Sequence, residues 1–237
     1  MSQYPDYSRR VELEYGTTDR VMFNFFNQVY AWMFAGLAVT GTVAFLVSQN
    51  TTMLKYLYTS GLYLPLFIGQ ILFVIAIQKA ALRVNTAVAT SLFLLYAAFL
   101  GMMISFIFIV YPIATLAGAF VVTAGVFGAM SLYGFVTKRD LTSIGSFLIM
   151  GVIGIFLASI VNYFIASSAL SWAITYLGVF IFVGLTAYDT QKLKQIAQSL
   201  EGNPQMAARM SIIGSLVLYL DFINLFLFLL RIMGRRR

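Results

Sequence analysis

From residue 29 onward, apolar residues run in blocks of about twenty, the length at which a helix crosses a hydrocarbon core of roughly 30 Å. The blocks predict membrane helices at residues 29–48, 62–78, 87–110, 113–136, 144–166, 169–190 and 211–230. Strand-like alternation is absent, and backbone polar groups in lipid must find partners within the chain. The expected class is therefore an all-α integral membrane protein, a bundle of seven transmembrane helices. The fourth block carries Gly125, Gly128, Ser131 and Gly134 at intervals of three, and small residues let helix backbones approach closely in lipid. One face of that helix is expected to meet a neighbour along its length.

The polar interruptions are short: QNTTMLKYLYTS, QKAALRVN, the Tyr111–Pro112 turn, TKRDLTS, SSALS and QKLKQIAQSLEGNPQMAAR. None is long enough to fold alone, so residues 25–237 read as one membrane domain. Residues 1–24, MSQYPDYSRRVELEYGTTDRVMFN, lack the apolar core of a secretory signal and read as a flexible polar tail.

Composition agrees, at 61% hydrophobic and 10% charged, against about a quarter charged in soluble domains. The net charge of +7 would suit nucleic acid only if a basic domain existed, and these cations sit beside membrane blocks instead. With the N-terminus cytoplasmic, the inner side holds Arg9, Arg10, Arg20, Lys79, Arg83, Lys138, Arg139, Lys192, Lys194 and Arg209, and the outer loops hold Lys55. Arg231 and Arg235 to Arg237 follow the last block and break the rule if that block crosses.

Cysteine and histidine are missing, which removes disulfides, thiolates and imidazole shuttles. Proton chemistry near neutrality falls to carboxylates. Asp6, Glu12, Glu14, Asp19, Asp140 and Glu201 lie in the tail or loops, whereas Asp189 and Asp221 enter the apolar blocks. An acid at mid-membrane costs about 2.5–3.5 kcal/mol by insertion scales, so two in neighbouring blocks call for a reason. Asp221 is eleventh from Ser211, about 15 Å deep. Asp189 lies near the inner end of its block, so the two meet only if that end is submerged or a watery crevice reaches it.

Plain readings exist for both. Asp189 can pair with Lys192 one turn on, and Asp221, with Asn224 at i+3, can hydrogen-bond a partner helix. An amide would hold helices together nearly as well without an ionisable group, which favours a role for the acid itself. Two carboxylates about 4 Å apart repel by about 4 kcal/mol at an effective dielectric near 20, enough for the pair to divide one proton. Such a pair would sense physiological pH, and its oxygens would attract a passing hard cation such as calcium. Arg83, on the same inner side, is the natural counter-charge, its alternative being a solvated topology marker.

The AYDTQKL segment, the terminal LYLDFINLFLFLLRI helix and seven blocks behind a polar tail resemble the transmembrane Bax inhibitor motif family in a bacterial form. The resemblance implies a seven-helix inner-membrane protein with a cytoplasmic N-terminus and a central final helix. It implies pH-dependent calcium leak, with Asp189 and Asp221 as sensor, Arg83 as latch, calcium as the permeant ion, and no cofactor or catalytic residue. The loop between the last two helices, with its EGNP turn, looks long for that pattern. Two other functions fit the chain: a contact regulator of a membrane protease or quality-control machinery acting through the tail, and a proton-coupled transporter. An intramembrane protease fits poorly, since neither aspartate sits in a Gly-Asp motif.

Overall fold

The computed structural model describes residues 7–61, 63–83, 86–200 and 203–234, and their side chains except those of 7–19, 63–64, 67–68, 71 and 82–83. The described residues form helices α1 (Tyr7–Ser48), α2 (Thr51–Thr59), α3 (Tyr63–Arg83), α4 (Thr86–Ile104), α5 (Ile107–Val110), α6 (Ile113–Val136), α7 (Thr142–Ile165), α8 (Ser168–Ser199) and α9 (Pro204–Met233). This is the all-α membrane class that the apolar blocks predict. Among the described residues six stretches are long and apolar enough to cross a bilayer: Arg20–Ser48, Thr86–Val110, Ile113–Val136, Thr142–Ile165, Ser168–Ser199 and Pro204–Met233. The remaining block is α3, a helix of 21 residues whose described apolar part is Leu72–Ala81.

Polar side chains set the helix ends. The Asn50 side chain accepts from Met53 N–H to start α2, and the Asn203 side chain accepts from Met206 N–H to start α9, with Pro204 in the first turn where its missing N–H costs nothing. Between α7 and α8 the chain reverses at Ala166, in the left-handed region at φ 54°. Asn162 closes that turn, accepting from Ser167 N–H at 3.0 Å and donating to Ser171 Oγ at 2.8 Å.

Three expectations are corrected. The backbone from Tyr7 is continuous helix with the first span, so residues 7–24 are not a loose tail. Helix α8 runs on to Ser199 and α9 begins at Pro204, which shrinks the long loop to residues 200–203. The reason is amphipathic: Leu193 and Ala197 are buried while Lys192 and Gln195 are exposed, so the helix persists after overall apolarity falls. The small residues of α6 do not share a face. Successive steps of three drift by about 60° on a 3.6-residue helix, so Gly125 and Gly134 point nearly opposite ways. A Cβ at Gly125 or Gly128 would meet nothing, whereas one at Gly134 would strike the Ala187 carbonyl of α8.

Helix α9 is the axis, packed by α1, α3, α4, α6 and α8. At its middle the Tyr219 ring is wholly buried edge-on to Phe93, at 5.4 Å and 87°, and to Tyr96. Thr40 Oγ donates to the Ala97 carbonyl at 2.9 Å, which leaves the Tyr219 hydroxyl to donate to Thr40 Oγ at 2.6 Å. One tyrosine thus binds α9 to α1 and α4, and the bundle centre is fixed two residues before Asp221.

Candidate functional site

Asp189 and Asp221 come from antiparallel neighbours. Because α8 continues past residue 190, Asp189 lies ten residues inside its helix end, and Asp221 lies beyond the midpoint of the 30-residue α9. No submerged helix end is needed to bring them together. The two carboxyl groups lie close enough to interact directly. Carboxylate oxygens only accept, so a hydrogen bond between them would require a proton on one of the two groups. Asp221 is 4% exposed, and its Oδ2 has no hydrogen-bond partner. Asp189 is half-buried.

The helix carrying Asp189 is tied to α1, α6 and the turn before α7. Thr190 Oγ donates to the Thr186 carbonyl at 2.7 Å, so Ser131 Oγ must donate to Thr190 at 2.9 Å, and the Tyr30 hydroxyl to Ser131. That chain joins α1, α6 and α8 and uses every proton it has. One residue on, the buried Gln191 amide donates to the Arg139 carbonyl at 2.7 Å and accepts from Leu141 N–H at 2.9 Å. Lys194 donates to the Phe135 carbonyl at 2.8 Å, its ammonium 5.0 Å from that ring's centroid. On α9, Ser211 Oγ donates its one proton to the Ala208 carbonyl at 2.8 Å and lies 3.2 Å from Gln28 Oε1 of α1. These contacts fix the backbone on both sides of the pair, so its spacing is set by the fold and not by flexible side chains.

The supporting residues fall elsewhere. Lys192 is exposed, 5.8 Å from the Tyr188 ring centroid, and its charge acts on Asp189 without a direct ion pair among the described residues. Asn224 donates to the Leu220 carbonyl of its own helix at 2.8 Å instead of bridging to another. It lines a separate cavity with Gln70 and Tyr96. Arg83 is the last residue of α3, and its side chain lies outside the described residues. Thr190 and Gln191 are not singled out by the sequence reading, and Ser131 figures there only as a small packing residue; the signal for the first two is a run of polar residues, Asp189 to Gln191, inside a helix.

Among the described residues no three acids or other metal-ligating side chains gather in one place. Two neighbouring carboxyl groups therefore stand alone as the acids in the interior of a helical membrane bundle, among the described residues. That architecture defines a polytopic membrane protein with an ionisable core. More particularly, the chain belongs to the family described as inhibitor of apoptosis-promoting Bax1, whose pattern matches residues 22–237. It is 51% identical over 212 residues to the inner membrane protein YbhL of Escherichia coli K12, covering 89% of this chain and 91% of that one. It is 46% identical to a Deinococcus radiodurans protein over 220 residues, 93% of this chain and 94% of that one. With a Borreliella burgdorferi protein the identity is 42% over 214 residues, 90% and 92% of the two chains.

Proposed function

We propose that this protein is a calcium leak channel of a bacterial inner membrane, its N-terminus cytoplasmic, gated by the protonation state of the Asp189–Asp221 pair. What supports the reading is the close approach of the two carboxyl groups, held on neighbouring helices at the bundle core with Asp221 Oδ2 unpartnered. Sharing a proton, the two side chains tie α8 to α9. Losing it leaves two like charges in contact, which repel unless a cation arrives. Arg83, at the end of α3, is the latch that answers the charged pair. Calcium prefers carboxylate oxygens but takes about six to eight of them in a storage site, so a pair alone suits a passing ion.

The test is calcium entry into liposomes loaded with an indicator, measured between about pH 6 and pH 8 for wild type, Asp189→Asn, Asp221→Asn and Arg83→Gln. Wild-type flux changes across that interval, the two asparagine variants lose the pH response, and Arg83→Gln shifts the basal rate. Flux and pH response identical to wild type in both asparagine variants would remove the pair from the mechanism. Circular dichroism of each variant confirms that the helices remain.

A further inference from the structure

At the end of the bundle where α9 finishes, a cavity of about 390 Å³ opens beside the start of α8 and the turn before α6. Tyr111, Ser168, Ser171, Trp172, Arg231 and Gly234 line it. Among the described residues the Arg231 guanidinium has no carboxylate partner: no Asp or Glu falls in segments 49–61, 105–112, 166–172 or 231–234, which meet at this end. Tyr111 is 8% exposed, and its hydroxyl has no hydrogen-bond partner among the described residues. Its ring is backed by Gly234, where a Cβ would strike it, so the end of α9 holds the tyrosine in place.

The remaining groups are donors too. Ser171 Oγ accepts from the Asn162 amide at 2.8 Å, which leaves its own O–H free to donate. Ser168 is the first residue of α8, where the leading N–H groups lack helical acceptors and the helix dipole is positive. A water occupies about 30 Å³, so the space would hold a group far larger than one solvent molecule. Trp172 stacks on Tyr176 at 5.7 Å beside the opening, as interfacial aromatics do at headgroup depth.

We infer that this cavity binds a phosphate group, gripped by the Arg231 fork and the serine and tyrosine hydroxyls over the α8 N-terminus. Guanidinium matches phosphate bidentately, and the site offers positive charge and donors with no competing anion. The phosphate can be that of a lipid headgroup or a free anion. Either source gives Arg231 a role at the end of the last apolar block, where the cations that follow it otherwise break the distribution of charge. The site stands apart from the aspartate pair and does not depend on how the pair works.

Trp32 and Trp172 are the only tryptophans, so Trp32→Phe makes Trp172 the sole reporter at the cavity. The full-length Trp32→Phe protein in neutral-detergent micelles is titrated separately with dihexanoylphosphatidylglycerol, inorganic phosphate and dihexanoylglycerol. Saturable change in Trp172 emission is expected with a phosphate-bearing probe and not with the glyceride. Arg231→Gln weakens it by about tenfold or more, Arg231→Lys restores part, and Lys55→Gln leaves it unchanged. A response to the phospholipid alone assigns a headgroup site, and a response to inorganic phosphate assigns a site for the free anion as well. No saturable response to either phosphate source overturns the proposal, as does an unchanged midpoint in Arg231→Gln with its helical signal intact.

Discussion

Helices α7 and α9 are both apolar enough to cross a membrane, and α7 carries the fewer polar residues, yet they occupy opposite places. Of the span in α9, 61% is buried within the protein; of that in α7, 11%. Helix α7 packs against α8 and turns Phe147 and Tyr163 outward at 67% and 83% exposure. Helix α9 buries Ser211, Ser215, Tyr219 and Asp221 among five other helices. Lipid tails are as apolar as leucine, so an apolar side chain gains nothing by leaving them, and the helix drawn inward is the one whose polar groups need partners. Apolarity decides that a helix crosses; its polar residues decide where it stands.

The sharpest way to break that contrast is to remove a polar anchor from α9 and an apolar one from α7. Tyr219→Leu loses the hydroxyl bond to Thr40 and the ring contacts with Phe93 and Tyr96, and leaves a void. A loss of about 3 kcal/mol is expected in reversible unfolding in micelles. Phe147→Leu on the lipid face of α7 should stay within about 0.5 kcal/mol of wild type. Equal losses would mean that burial in this bundle carries no more energy than contact with lipid.

A smaller effect sharpens the picture of α7, which is fastened at its polar end. The Thr142 hydroxyl, bonded at 2.6 Å, and then its N–H at 2.9 Å hold the exposed Asp140 carboxyl below the usual carboxylate value of 3.8. A depressed folded value means that the contribution is present above the unfolded value and is lost as pH falls through the folded one. Asp140→Ala should therefore flatten the acid-side fall in thermal stability and leave the neutral-to-basic side parallel to wild type. An unchanged acid limb would show that the bond contributes nothing.

Much of this was legible in the chain. Apolar blocks gave the class, and the cost of an acid in lipid singled out Asp189 and Asp221, which lie on the packed helices α8 and α9. What escaped did so for identifiable reasons. Reading apolar runs ended α8 at residue 190, because Lys192, Lys194 and Gln195 dilute a stretch that is still amphipathic helix. The Asn203–Pro204 dipeptide sits in an EGNP sequence that reads as a turn, yet it is a helix-start signature and opens α9. The glycine pattern of α6 misled because intervals of three wind around a helix, and only Ser131 and Gly134 meet α8. The chain from Tyr30 through Ser131 to Thr190 spans three helices and has no local spacing to betray it.

Infrared difference spectroscopy, recorded as pH is raised, tests most directly whether the aspartates divide a proton that sets the gate. A protonated-carboxyl stretch should disappear over the interval in which calcium flux changes, and it should be absent from the Asp189→Asn, Asp221→Asn double variant. A stretch that persists in the double variant, or one that titrates in wild type with no accompanying change in flux, would contradict the account.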